Sequence, residues 1–370
     1  MSSVTDLHLG VEVAVGVDTH VHTHTAAIVD AVTGGRLATI EVPATEAGYT
    51  ELVDFVADRV EGRTRMWAIE GTASHGANLT RYLHADGHYV VEMDRPQRAP
   101  RRHGAKTDAI DAVRAAREAL ARERNNLPKV DGHRHAVATL LTVRRSAVKA
   151  ASNARRQLHG LIVSAPEQVQ RRFDDHTPLQ RVKTAARLRI RKDTPMESAI
   201  TIQVLRNLAR RISDLHAEID SYDKQITDVL TDWCPQLLDE PGIGPITGAV
   251  ILSAYSHPGR IHSEGGFAML AGTAPIPANS GQTVNRYRLN RSGNRQLNWA
   301  LHTIVLSRAR HDPATRAYIE RRTAEGKTPR EIRRCLKRYL TRQLYRLLNQ
   351  HLSQPEKTAL TTPETPAQAA

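Results

Sequence analysis

The chain has 370 residues, enough for about two or three domains, and its hydrophobic share of 40% includes only 4% aromatics, so its cores are aliphatic. Lys and Arg number 52 against 39 Asp and Glu, a net charge of +13 that points to a polyanion as partner. Two cysteines exclude a disulfide framework and a four-cysteine zinc site. The first residues lack the pattern of a secretory signal, and no run of about 18 apolar residues offers a membrane span. The expected place of action is the cytoplasm, at the nucleoid, with no membrane partner.

The first expected domain covers residues 11–125. Val11–Asp18 alternates so that Val11, Val13, Val15 and Val17 share one face, the mark of a central strand. It ends on Asp18, which either starts a turn or serves as a first metal ligand. Strand-like runs at Thr25–Asp30 and Arg36–Val42 flank Thr33-Gly34-Gly35, the composition of a tight hairpin. Leu52, Val53, Val56 and Val60 have helical spacing. A strand over Thr64–Glu70 again ends on a carboxylate, a helix follows with Gly87 as its stop, and His88–Asp94 reads as a fifth strand. Asp108 opens another helix, with Asp111 three residues on and on the same face. Strands in a meander followed by alternating strands and helices give a mixed α/β sheet, and this is the element order of the RNase H-like fold.

Asp18, Glu70, Asp108 and Asp111 are then four carboxylates at element ends. Brought together they repel unless a cation joins them, and hard oxygen donors select Mg²⁺ or Mn²⁺. Arg98, Arg101, Arg102 and Lys106, kept extended by Pro96 and Pro100, form a basic loop suited to a phosphate backbone. His20, His22 and His24 alternate, so in an extended segment they face one way, as a phosphate-facing edge or a zinc site short of ligands.

Residues 130–232 read as helices broken at Pro166 and Pro195. Ile202, Leu205, Leu208, Ile212, Leu215, Ile219, Ile226 and Leu230 have the spacing of a coiled-coil seam. The region is either a hairpin folded on itself or a dimerisation arm displaying Arg144, Arg145, Arg155 and Arg156. Residues 236–350 form a mainly helical C-terminal domain. Gly242-Ile243-Gly244 resembles the turn of a helix-hairpin-helix module, whose N–H groups hold a phosphate. Asn279-Ser280-Gly281 is an exposed turn with Arg286, Arg288, Arg291 and Arg295 near it in sequence, cations that would stabilise charge if Ser280 attacked phosphorus. From Arg308 to Arg346 there are 13 Lys and Arg against 4 Asp and Glu, and Arg330, Arg334, Lys337 and Arg338 mark a nucleic-acid face. Residues 353–370 have little to bury and are expected to be disordered.

These motifs together resemble the insertion-sequence-one-ten transposases, DEDD-type recombinases of bacterial insertion sequences. The likeness is carried by the Asp-ending first strand, Ile69-Glu70-Gly71, Lys106–Asp111, Pro241–Pro245 and the Asn279-Ser280-Gly281 turn. It implies a RuvC-like first domain with Asp18, Glu70, Asp108 and Asp111 holding Mg²⁺ or Mn²⁺. It also implies a nucleophilic serine that forms a 5′-phosphoserine with DNA: Ser280 by motif position, or Ser292 in Arg291-Ser292-Gly293-Asn294, which otherwise reads as a helix N-cap. The family resemblance further implies homo-oligomers, dimer or tetramer, double-stranded DNA at the element ends and target, and a structured non-coding bridge RNA that chooses both. Two other classes compete on the residues: a RuvC-like junction nuclease without a covalent step, and a non-enzymatic nucleic-acid-binding protein.

Overall fold

The structure, a computed structural model, describes residues 10–93, 107–280, 286–290 and 292–352. They fall into two compact units, one of residues up to 130 with 255–267 and those from 348 on, the other of 131–254 and 268–347.

The first unit runs β1 (Val13–Thr19), β2 (Thr23–Asp30), β3 (Arg36–Pro43), α1 (Glu46–Arg59), β4 (Arg65–Glu70), α2 (Ala77–Ala85), β5 (Val90–Met93) and α3 (Asp108–Ala121). The strands make one mixed sheet in the order β3-β2-β1-β4-β5. β2 lies antiparallel to β1 and β3, while β4 is parallel to β1 and β5. β1 is central and buried on both sides, as a continuous apolar run requires. Val13, Val15 and Val17 pack with Leu52 and Val56 of α1 and Leu79 and Leu83 of α2. Ala14 faces the other way, into Met66, Ala68, Val91 and the alanines of α3.

The α3 side is built from small residues, which lets backbone approach backbone. A Cβ on Gly16 would lie 2.0 Å from the Ala112 carbonyl oxygen and 2.6 Å from the Ala116 nitrogen. Glycine inside a strand marks such close approaches. The β2–β3 hairpin turns where expected, over residues 31–35: Asp30 Oδ1 accepts the N–H groups of Val32 and Thr33, at 3.1 and 2.8 Å, and Gly34 takes the positive φ.

Residues 255–267, expected with the C-terminal domain, belong to this unit. Val130 N–H donates to Ser256 Oγ at 3.1 Å, and Arg260 Nη2 donates to Glu92 Oε2 at 2.9 Å. Burial would raise the Glu92 pKa, but the Arg260 and Lys129 charges hold it below the usual carboxylate value.

The second unit opens with α4 (His133–Val163), then α5 (Glu167–Gln170), α6 (Pro178–Arg187) and the long α7 (Met196–Trp233). The breaks fall at Pro166 and Pro195, as the sequence predicts. α4 and α7 run antiparallel: His133 meets Asp232 at 2.8 Å, Arg144 meets Asp223, and Arg155 meets His216. Near the α4–α7 tip Ala154, Leu158 and Ile162 pack with Phe173, Val182, Ile202 and Leu205. Much of the seam is therefore covered within the chain. Arg144, Arg155 and Arg156, which the alternative of a dimerisation arm would display, are engaged by Asp223, His216 and Asn153. After α7 come α8 (Pro235–Leu238), α9 (Pro245–Tyr255), α10 (Glu264–Leu270), a two-stranded hairpin of β6 (Ile276–Pro277) and β7 (Tyr287–Arg288), α11 (Arg295–His311), α12 (Pro313–Ala324) and α13 (Pro329–His351). Among the described residues no helix is long and apolar enough to cross a membrane.

Gly16→Ala is expected to destabilise the protein by about 3 kcal/mol in urea unfolding, because α3 must lift off β1. Gly160→Ala, on α4 with open space around its Cβ position, is expected to stabilise it by about 0.5–1 kcal/mol.

Candidate active site

The contact at Gly16 sets the position of the acids. Asp18 lies two residues beyond Gly16 on the same face of β1, and Asp108 lies one turn before Ala112 on α3. Their carboxylates therefore meet at one edge of the sheet. His20 Nε2 stands 3.4 Å from Asp18 Oδ2 and 3.5 Å from Asp108 Oδ2. Among the described residues these three side chains offer donor atoms all within 4.8 Å of one another.

Glu70 and Asp111 lie outside that group: Asp111 acts on Asp18 through its charge, and Glu70 is the neighbour of Asp18 by strand register. The last paired rung of β1 and β4 is Val17 with Ile69, so Asp18 and Glu70 are the next neighbours on a common face. Thr19 Oγ1 donates to the Glu70 carbonyl at 2.9 Å and ties the two strand ends together. Asp111 accepts from Arg114 Nη1 at 2.7 Å, and its charge reaches Asp18. Burial pushes the Asp18 pKa up, Asp108 and Asp111 push it further, and His20 partly offsets them. A largely buried carboxylate raised by burial and by two neighbouring acids is a site that a cation would relieve. The donor set, two hard carboxylates and an imidazole, fits a divalent ion.

The three histidines do not share a face, because the chain turns at residues 21–22. His20 reaches the acids and His22 is exposed. His24 is fully buried, stacked on Tyr49 at 5.7 Å, its Nδ1 on the Thr23 carbonyl at 3.0 Å. Burial lowers the His24 pKa.

In the second unit Ser280 is exposed, just past the β6–β7 ladder, which Ala278 N–H closes by donating to the Arg286 carbonyl at 2.8 Å. Arg286, Arg288 and Arg295 are exposed as well. Ser292 is not the helix cap expected of it. Asn294 caps α11, its Oδ1 accepting from Gln296 N–H at 2.9 Å and Leu297 N–H at 3.1 Å, while Ser292 Oγ sits 2.6 Å from Asn290 Oδ1. Gly293 has φ of +100°, and a Cβ there would meet the Leu270 carbonyl oxygen at 2.7 Å, so the Ser292-Gly293-Asn294 turn is tightly packed.

The Gly242-Ile243-Gly244 turn has its own internal partners. Ile243 N–H donates to the Glu240 carbonyl at 3.1 Å and Gly244 N–H to Thr247 Oγ1 at 3.1 Å. Gly242, at φ +77°, lies against Ile304 and Arg308. Arg308 in turn bonds the Pro241 carbonyl at 2.6 Å and Glu240 at 3.1 Å. Of the two glycines expected to hold a phosphate, Gly242 and Gly244, the N–H of Gly244 is donated within the turn, as is that of Ile243 between them, and α8, the helix before the turn, is a single turn long. On α13, Arg330 and Arg334 are exposed, and Arg338 is partly buried. Lys337 is partly buried and donates to Asn298 Oδ1 at 3.0 Å, with its pKa lowered by burial and then by Arg334. Arg98, Arg101, Arg102, Lys106 and Arg291, like residues 353–370, lie outside the described residues.

Sequence reasoning missed His20 and Gly16 as parts of the site. The signal for both was spacing: each is two residues from Asp18, and residues two apart on a strand share a face.

A DEDD-type family model described as a transposase matches residues 15–165, and a second, described as the transposase IS116/IS110/IS902 family, matches residues 234–320. The two modules in this order define an insertion-sequence transposase. The chain is 26% identical over 365 residues to a 44.8 kDa protein of insertion element IS116 from Streptomyces clavuligerus, covering 84% of this chain and 88% of that protein. It is 28% identical over 369 residues to a 42 kDa protein of insertion element IS900 from Mycobacterium paratuberculosis, covering 85% and 90%. A 43.6 kDa protein of insertion element IS110 from Streptomyces coelicolor is 30% identical over 205 residues, which take in 54% of this chain and 48% of that protein. The chain therefore spans about half the length of that last relative and most of the other two. It belongs to the IS110/IS116 family of insertion-sequence transposases.

The crowding at Asp18 has a sign that thermal melting reads. Its pKa in the fold lies above the ordinary 3.8, so the protonated form favours folding, and that contribution is lost as pH rises through the folded pKa. In EDTA at neutral pH, Asp18→Asn is expected to raise the melting temperature; a lower melting temperature would contradict the crowding.

Proposed function

We propose that the protein cuts and rejoins DNA strands at the ends of an insertion sequence, with Asp18, Glu70, Asp108 and Asp111 as its metal-binding acids and Ser280 as its nucleophile. The carrying observation is the convergence of Asp18 and Asp108 at the end of the central strand, within reach of the Asp111 charge, with Glu70 next to Asp18 by strand register. The strand order and the mixed pairing support an RNase H-like, RuvC-like first domain. Mg²⁺ or Mn²⁺ held there would supply a Lewis acid at the scissile phosphate. Asp18 and Asp108 would hold the ion, with Glu70 on β4 and Asp111 on α3 as the further acids of the set.

Ser280 Oγ attacks phosphorus and gives its proton to solvent, while the bond to the 3′-oxygen breaks and that oxygen takes up a proton from solvent to leave as a 3′-hydroxyl. The product is a 5′-phosphoserine that a 3′-hydroxyl later resolves. Ser280 and Ser292 are both exposed; what favours Ser280 is that the Ser292 hydroxyl is already donated to Asn290 Oδ1 and that its neighbour Gly293 is closely packed. Arg286, Arg288 and Arg295, together with α13, provide cations for the DNA backbone. The family resemblance adds a bridge RNA that pairs with donor and target DNA, and a homo-oligomer as the working unit, in the bacterial cytoplasm.

Asp108→Asn is expected to abolish strand cleavage in Mg²⁺ while DNA retention on gels stays within about twofold of the parent, since one acid at the metal site carries chemistry rather than phosphate contact. On a nicked suicide substrate the parent protein should leave an SDS-resistant protein–DNA adduct that Ser280→Ala loses and Ser292→Ala keeps. An adduct that survives Ser280→Ala overturns the serine assignment. Cleavage with no adduct in the parent identifies a junction nuclease instead.

A further inference from the structure

We propose that His20 is a ligand of the cation held by Asp18 and Asp108, and that its imidazole tilts this site from Mg²⁺ toward Mn²⁺ and related transition-metal ions. The inference rests on the reading of those carboxylates as a metal site.

Three observations carry it. His20 Nε2 is nearly equidistant from the two carboxylates, 3.4 Å from Asp18 Oδ2 and 3.5 Å from Asp108 Oδ2. Ligands about 2.1 Å from an octahedral ion lie roughly 3–4 Å from one another, so the ring stands where a third ligand belongs. The backbone also fixes that direction: His20 N–H donates to the Thr23 carbonyl at 3.0 Å, closing the turn between β1 and β2. Finally, the ring is half exposed, at 48%, against 13% for the Asp18 side chain, so it borders solvent while the acid lies deeper.

The chemistry follows from ligand type. Mg²⁺ prefers oxygen donors and gives up water reluctantly, whereas imidazole suits Mn²⁺ and the later transition ions. Carboxylates serve both. A site with two carboxylates and an imidazole therefore favours Mn²⁺ over Mg²⁺ more strongly than the carboxylates would alone.

The test uses the full chain with Mn²⁺ as probe and reads the metal itself. Electron spin-echo modulation of bound Mn²⁺ should show nitrogen-14 coupling that converts to nitrogen-15 on histidine labelling and disappears in His20→Gln. Calorimetric titration should show Mn²⁺ affinity falling about tenfold in His20→Gln, the scale of a weakened ligand shell, with Mg²⁺ affinity nearly unchanged. His22→Gln, an exposed change in the same turn, should leave both ions as they were. Mn²⁺ that binds, is lost in Asp108→Asn, and yet carries no histidine nitrogen overturns the role of His20 and leaves the carboxylate site standing. An unchanged ratio of Mn²⁺ to Mg²⁺ affinity in His20→Gln does the same. If the parent protein binds no Mn²⁺ at all, the carboxylate reading falls with it.

Discussion

The α3 backbone rests directly on β1 at Gly16, and the geometry of the acidic site follows from that approach. No side chain fits between them, because a Cβ would sit 2.0 Å from the Ala112 oxygen. Alanines at 112, 115, 116 and 119 keep the rest of the helix equally close. A helix held this tightly has little freedom to slide or roll. Its first turn, with Asp108 and Asp111, is therefore fixed against the end of β1, where Asp18 emerges. The dipole of α3 favours those two acids at its start, but it does not relieve Asp18, whose pKa stays raised by burial and by its neighbours. The fold thus keeps anions together at a standing cost that a cation would offset.

The same unit shows how distant segments complete it. Residues 255–267 join it through Ser256 and through the Arg260–Glu92 ion pair, which links positions 168 residues apart. Arg260 and Glu92 are both nearly buried, with side-chain exposures of 9% and 12%, so removing one partner takes away the main opposite charge beside the other. The first unit is consequently not a contiguous stretch of chain. A truncation near residue 130 would remove part of what packs against β5.

Much of this was legible in the sequence, for identifiable reasons. Period-two alternation in Val11–Asp18 and helical spacing in Leu52–Val60 are local signals, and strands, helices and sheet class followed from them. Carboxylates at element ends stood out for the same reason. His20 did not, because alternation grouped it with His22 and His24, and only the turn at residues 21–22 separates the three. The β2–β3 turn did stand out, because Gly34 supplies the positive φ it needs; the Asp30 carboxylate that closes it onto Val32 and Thr33 carries no such signal. The exchange of residues 255–267 between units depends on the Arg260–Glu92 pair, which leaves no local trace. In the Gly242–Gly244 turn a glycine pattern suited to phosphate binding also suits close packing on α11, and sequence does not tell the two apart. Ser292 was read as a cap two residues early; Asn294 has the same capping chemistry and holds the position.

The claim on which the rest depends is that one cation seats between β1 and the first turn of α3. Anomalous scattering from Mn²⁺-soaked crystals measures it most directly. The account predicts an anomalous peak within bonding distance of both Asp18 and Asp108. A peak elsewhere, or Asp18 and Asp108 splayed apart with no peak between them, would contradict it.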